Sequence, residues 1–156
     1  MARIIENAKV FKPARVLERA VVSGNAVISG NSFVIEYATI SGNARIGGGA
    51  TIRGYALVTG DVEIFDGAKV RGTAAIREQK HVDWEAFEAR SGRYVLTLYM
   101  QANGSVGFTW GCRHGDDLRA YLAQRHEYAL EGLAAEPLAF LASFEQANNI
   151  GENKWK

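Results

Sequence analysis

Side chains able to act as nucleophile, base or metal ligand are few: Cys112, the only cysteine, and three histidines, His81, His114 and His126, all in the second half of the chain. Cys112 with His114 or His126 has the make-up of a nucleophile and its base. Reactive cysteines need electropositive, partly open surroundings. A cysteine that closes a strand in a small module is expected instead as a buried small hydrophobe, and a histidine late in a helix as an end-of-helix charge. A zinc site would need His81, His114 and His126 together, and their spacing matches no ligand pattern. Asn7, Asn25, Asn43 and Asp61 recur every 18 residues. With a single carboxylate they make a poor calcium site and are expected to form a ladder of side-chain amides. Catalytic residues, metal ligands and cofactors are therefore all assigned as none.

The elements that position these residues begin with a strict period of six. Ile4, Val10, Val16, Val22, Ile28, Val34, Ile40, Ile46, Ile52, Val58, Ile64, Val70 and Ile76 follow one another without a slip. Two residues before each stands a small side chain, with Val62 the larger exception, and glycine often stands two residues after. A period of six fits neither a helix nor a hairpin array. It predicts a parallel β-helix of one short strand and one corner per repeat. Alternation along each strand points the small and branched residues inward. Three repeats close an 18-residue coil, so residues 1–78 make about four coils, and at roughly 4.8 Å per stacked strand the prism is about 20 Å tall. Hexapeptide solenoids of this kind resemble the left-handed β-helix family, and the handedness is implied by that resemblance.

Stacking residues 18 apart predicts the corners. One carries the asparagine ladder, and another carries Arg19, Tyr37, Tyr55 and Thr73, where the two tyrosines can stack. The first coil has charge and proline at its corners (Glu6, Lys12, Pro13, Glu18, Arg19), which discourages edge-to-edge pairing. Outward positions are more apolar than a free-standing prism needs: Val21 and Leu57, Val27 and Phe65, Phe33 and Ile35, and Ile5, Phe11 and Leu17 on the first coil. One attached module cannot cover three faces, so these patches predict self-association as a dimer or trimer.

Residues 79–156 form a second unit, a small α+β module. Tyr94–Met100 and Val106–Cys112 read as strands joined at Asn103-Gly104, a hairpin signal. His81–Ala89 reads as a lead-in to a turn at Ser91-Gly92. Asp117 should cap a helix carrying Leu118, Tyr121, Leu122 and Arg125. Pro137 should open a second helix with Leu138, Leu141 and Phe144 or Phe140 on one side. The tail from Asn148 is polar and reads as loose despite Trp155. The fold class is mainly β: a left-handed parallel β-helix followed by a small α+β cap, a β-hairpin plus two helices, covering the open end after Ile76.

The charge balance of 18 basic to 17 acidic residues argues against a general nucleic-acid binder. The lone cysteine suits a reducing cytoplasm, and neither a signal peptide nor a membrane-spanning run is evident. The repeats over residues 20–76, with Gly111, Cys112, Gly115, Leu118 and His126 after a strand pair, resemble uncharacterised phage and prophage hexapeptide-repeat proteins. His114 and Asp116 depart from that pattern. The resemblance implies a phage or mobile-element origin and no assigned chemistry.

These readings predict a non-catalytic, phage-encoded binding protein of the host cytoplasm, an inhibitor of a host protein or defence complex, acting through a rigid surface. The partner-binding set is Phe33, Tyr37, Arg53, Tyr55, Leu57, Phe65 and Arg71, with Arg53 and Arg71 suited to an acidic partner. The alternative is a hexapeptide-type acyltransferase-like enzyme with a site between subunits. Against it, no histidine precedes residue 81, no loop interrupts the repeats, and no basic pocket for an acyl carrier is evident.

Overall fold

The computed structural model describes residues 1–89, 91–125, 128 and 132–151. Residues 3–76 form thirteen two-residue strands, β1 to β13 in chain order, each paired in parallel with the strand 18 residues before it, after it or both. One face stacks Arg3–Ile4, Val21–Val22, Thr39–Ile40, Leu57–Val58 and Ala75–Ile76. A second stacks Lys9–Val10, Val27–Ile28, Arg45–Ile46 and Glu63–Ile64, and a third Arg15–Val16, Phe33–Val34, Thr51–Ile52 and Lys69–Val70. The protein is thus a parallel β-solenoid of about four coils followed by an antiparallel sheet and helices.

The period-six residues fill the interior. From Ala20 to Ile76 every small and branched inward side chain is buried, because alternation sends both to the axis. The first coil differs. Ile4 is 50% exposed, and Ile5, Phe11 and Leu17 are exposed with it. The second coil's Ala20, Val22 and Ala26 carbonyls each accept an amide from the first coil. The first coil's own corresponding carbonyls face the open end.

The asparagine ladder forms as the spacing predicts: the amides of Asn7, Asn25 and Asn43 donate to Asn25, Asn43 and Asp61 at 3.2, 3.2 and 2.9 Å. The corners hold a further feature. Their left-handed backbone is kept where glycine is replaced, with φ of 59°, 60°, 61° and 59° at Glu6, Glu18, Glu36 and Asp66. Such a conformation costs a non-glycine residue about 1–2 kcal/mol. Two of the glutamates offset it with charge-assisted bonds: Glu6 Oε2 accepts the Gly24 amide at 2.5 Å and Glu36 Oε2 the Gly54 amide at 2.6 Å.

The cap is larger than a hairpin. It is a four-stranded antiparallel sheet in the order β14 (Val82–Ala89), β15 (Gly92–Met100), β16 (Val106–Trp110), β17 (Arg113–Gly115). The stretch read as a lead-in is strand β14, whose apolar Val82, Trp84, Ala86 and Phe87 alternate with Asp83, Glu85 and Glu88 across most of its length. Helix α1 (Leu118–Ala123) is capped by Asp117, which accepts the Ala120 amide at 3.0 Å, and α2 (Ala135–Ala147) follows. Strand β15 lies between two cores. Leu96 and Leu98 join Phe108, Trp110, Leu141 and Phe144, while Tyr99 joins the solenoid interior with Val82. Thr97 Oγ1 accepts the Lys69 amide at 2.9 Å, and the Ala102 amide donates to the Thr73 carbonyl. The solenoid's last coil is therefore covered. Asn148, the first residue of the stretch expected to be loose, is held in place: its Nδ2 donates to the Lys80 carbonyl at 2.7 Å. Trp155 lies outside the described residues.

His81 closes the junction. Its Nδ1 accepts the amides of Arg77 and Glu78 at 3.0 and 3.2 Å, which requires the unprotonated nitrogen. Burial holds its pKa below the ordinary 6.5, opposed by the Glu78 carboxylate and helped by Lys80 and Arg77. The unfolded chain takes up the proton first as pH falls, so this contribution to stability is full above about pH 6.5 and is lost as pH falls through the lower folded value. Thermal melts at pH 7.5 and 5.5 should show a drop that is smaller in His81→Asn, which keeps a side-chain acceptor. Equal drops in both proteins would remove His81 from this role.

Candidate functional site

The predicted binding residues fall mainly around one edge of the prism. Tyr37 and Tyr55 stand on successive coils at the edge between the third and first faces, with ring centroids 4.9 Å apart and planes within 8° of parallel. They are 47% and 67% exposed. The Arg19 guanidinium lies 5.7 Å from the Tyr37 centroid, so the edge carries a stack of one cation and two rings. Leu57 is half-buried on the first face just past this edge. Arg53 and Arg71 occupy equivalent positions of successive coils on the third face, and exposed Phe33 lies across the same face. Phe65 stands apart on the second face, its ring lying over Gly47, where an added Cβ would come within 2.5 Å of it.

Arg53 is held from below. Its guanidinium bonds Glu36 Oε1 at 2.5 Å while the other Glu36 oxygen holds the Gly54 amide. The Arg53 bond, against the opposing effect of burial and with help from the Gly54 amide and Arg71, keeps the Glu36 carboxyl below the usual carboxylate range. The aromatic edge thus rests on a fixed backbone and a braced arginine. Sequence reasoning missed one neighbour of this edge. Tyr55 and Leu57 continue into a groove of about 580 Å³ walled by Thr73, Arg77, His81 and Met100, because the cap hairpin overhangs the first face.

Cys112 does not behave as a buried hydrophobe. It is exposed, in the turn between β16 and β17, and lines a cavity of about 700 Å³ with Lys69, Tyr94, Trp110, Arg113, Tyr121, Arg125 and Tyr128. The turn of Gly111 and Cys112 lifts the side chain out of the sheet. Among the described residues no hydrogen bond joins Cys112 to His114, and His126 lies outside the described residues. His114 has its pKa lowered, first by burial and then by Arg71 and Arg53. Among the described residues no group of three or more His, Cys, Asp or Glu is placed to hold a metal ion. Lys69, Arg113 and Arg125, far apart in sequence, line this one cavity where β16 packs against β12 of the third face.

The chain matches no known protein family, curated protein or solved structure. Among the described residues no helix is long and apolar enough to cross a membrane.

Proposed function

We propose that the chain is a non-catalytic protein-binding protein that docks on a partner through the aromatic edge of its solenoid. The observation that carries this reading is the rigid Tyr37–Tyr55 stack, exposed and flanked by Leu57, Arg53 and Arg71. Exposed aromatics and arginines on an inflexible scaffold have the composition of an interface hot spot. The partner is a protein presenting a carboxylate-bearing, partly apolar surface, the chemistry that Arg71 and the tyrosines accept. Exposed Ile4, Ile5, Phe11 and Leu17 at the open end supply a further apolar surface, on which a homo-oligomer, dimer or trimer, is proposed. The phage-like repeat resemblance supports a specific version: a phage-encoded inhibitor of a host complex, such as a defence complex, working in the host cytoplasm.

Tagged wild-type protein and a Tyr37→Ser/Tyr55→Ser variant, passed over host lysate with masses measured by light scattering, test the reading. A partner bound stoichiometrically by the wild type should be weakened about thirtyfold or more by the variant, a loss of about 2 kcal/mol. A partner held equally by both would place the interface elsewhere. A wild type that is monomeric and captures nothing would overturn the proposal.

A further inference from the structure

The cavity beside Cys112 combines two chemistries. The first is aromatic. Trp110 and Tyr128 are nearly buried, with centroids 5.4 Å apart and rings tilted by 50°. Tyr121 lies 6.4 Å from Tyr128, and Tyr94, 40% exposed, adds ring surface from β15. These rings are fixed in place: Trp110 Nε1 donates to the Tyr94 carbonyl at 3.1 Å, and the Arg125 guanidinium lies 4.9 Å from the Tyr121 centroid. Among the described residues, aliphatic lining is confined to Ala89.

The second chemistry is cationic. The solenoid contributes Lys69, whose ammonium donates to the Gly111 carbonyl at 3.3 Å. That uses one of its three donors. Arg113 is exposed on β17 and, among the described residues, makes no ion pair. No described lining residue is a carboxylate. A purely apolar ligand would leave Lys69 and Arg113 without an anion among the described residues, and a bare inorganic anion would leave the rings unused. A flat ring carrying a phosphate satisfies both, since ring faces stack on any base and a guanidinium fork matches phosphate oxygens. The volume lies within the roughly 300–1,000 Å³ common for small-ligand pockets.

We infer that this cavity is a binding site for a mononucleotide-class ligand, its base against Tyr94, Trp110, Tyr121 and Tyr128 and its phosphate at Lys69 and Arg113. The site is distinct from the aromatic edge, and it concerns a single nucleotide, so the near-neutral net charge that argues against a nucleic-acid polymer does not bear on it. The cap supplies the rings and the solenoid one of the charges, which gives the junction a role besides covering the last coil.

The test uses the full chain with adenosine monophosphate and uridine monophosphate as probes, and adenosine and inorganic phosphate as their separated parts. Tryptophan fluorescence, compared with that of a Trp84→Phe/Trp155→Phe protein, reports on Trp110. The rate at which a thiol reagent modifies Cys112, exposed on the cavity wall, gives an independent readout. At least one nucleotide should saturate the fluorescence change and slow the thiol reaction. Adenosine and phosphate should each bind about tenfold more weakly or worse than that nucleotide. Arg113→Gln and Lys69→Gln, both at exposed positions and therefore tolerable to the fold, should each weaken binding by about tenfold. Absence of saturable binding by either nucleotide would overturn the inference. So would nucleotide binding unchanged in both variants, or phosphate or nucleoside binding as tightly as the nucleotide.

Discussion

Gly107→Val is expected to lower stability by about 3 kcal/mol, with a clear fall in the urea midpoint, although valine is the better strand former. Gly107 sits opposite Tyr99 in the β15–β16 pair. A Cβ there would lie 2.2 Å from Tyr99 Cε2 and 2.8 Å from Cζ, which no strand can absorb without moving the ring. The ring has little room to move. Tyr99 is 2% exposed within the solenoid core, and its hydroxyl donates to the Phe108 carbonyl at 3.4 Å. Displacing it opens the last coil as well as bending the sheet, so the damage reaches both cores. Gly49→Ala provides the contrast. Its Cβ would meet only the Asp66 carbonyl oxygen at 3.7 Å, and the change should stay within about 0.5 kcal/mol of wild type. Adding Tyr99→Leu to a Gly107→Ala background should recover part of that variant's loss, since the pair shares one contact. A Gly107→Val midpoint equal to the wild type would show that Tyr99 does not pin the cap to the solenoid.

Ile46→Ala is the second large effect, expected at about 2–5 kcal/mol. Ile46 is fully buried and stacked between Ile28 and Ile64 on neighbouring coils. The corners and strands are hydrogen-bonded from coil to coil, so the interior cannot collapse around a missing side chain without breaking that ladder. A repeat array is stabilised through nearest neighbours, so a void in the middle weakens the coils on both sides. Ile4→Ala, the same substitution at the half-exposed open end, removes little buried surface and should cost less than about 1 kcal/mol in the monomer. Equal losses at Ile46 and Ile4 would mean that stacking does not carry the solenoid. If instead the Ile4 loss grew with protein concentration, the open end would be covered by a second copy, in line with the oligomer proposed above.

The sequence by itself determined the solenoid, because one coil repeats the next. A side chain's inward or outward direction follows from a period of two, and its neighbour from a period of 18, so the asparagine ladder and the Tyr37–Tyr55 stack were both legible as intervals. The cap's helix start at Asp117 was legible for the same local reason, a side chain that bonds an amide three residues on. Strand β14 carried an alternation that could have been read. Tertiary structure alone decided the rest. Glutamate holds a left-handed corner at Glu6 and Glu36 because a glycine amide one coil away meets its carboxylate. Cys112 is exposed because a turn lifts it from the sheet. Lys69 lines one cavity with Arg113 and four aromatic rings because the cap's strands β15 and β16 pack against the solenoid's β12. Periodic contacts are written in spacing along the chain, whereas contacts between the solenoid and its cap depend on docking two surfaces that share no period.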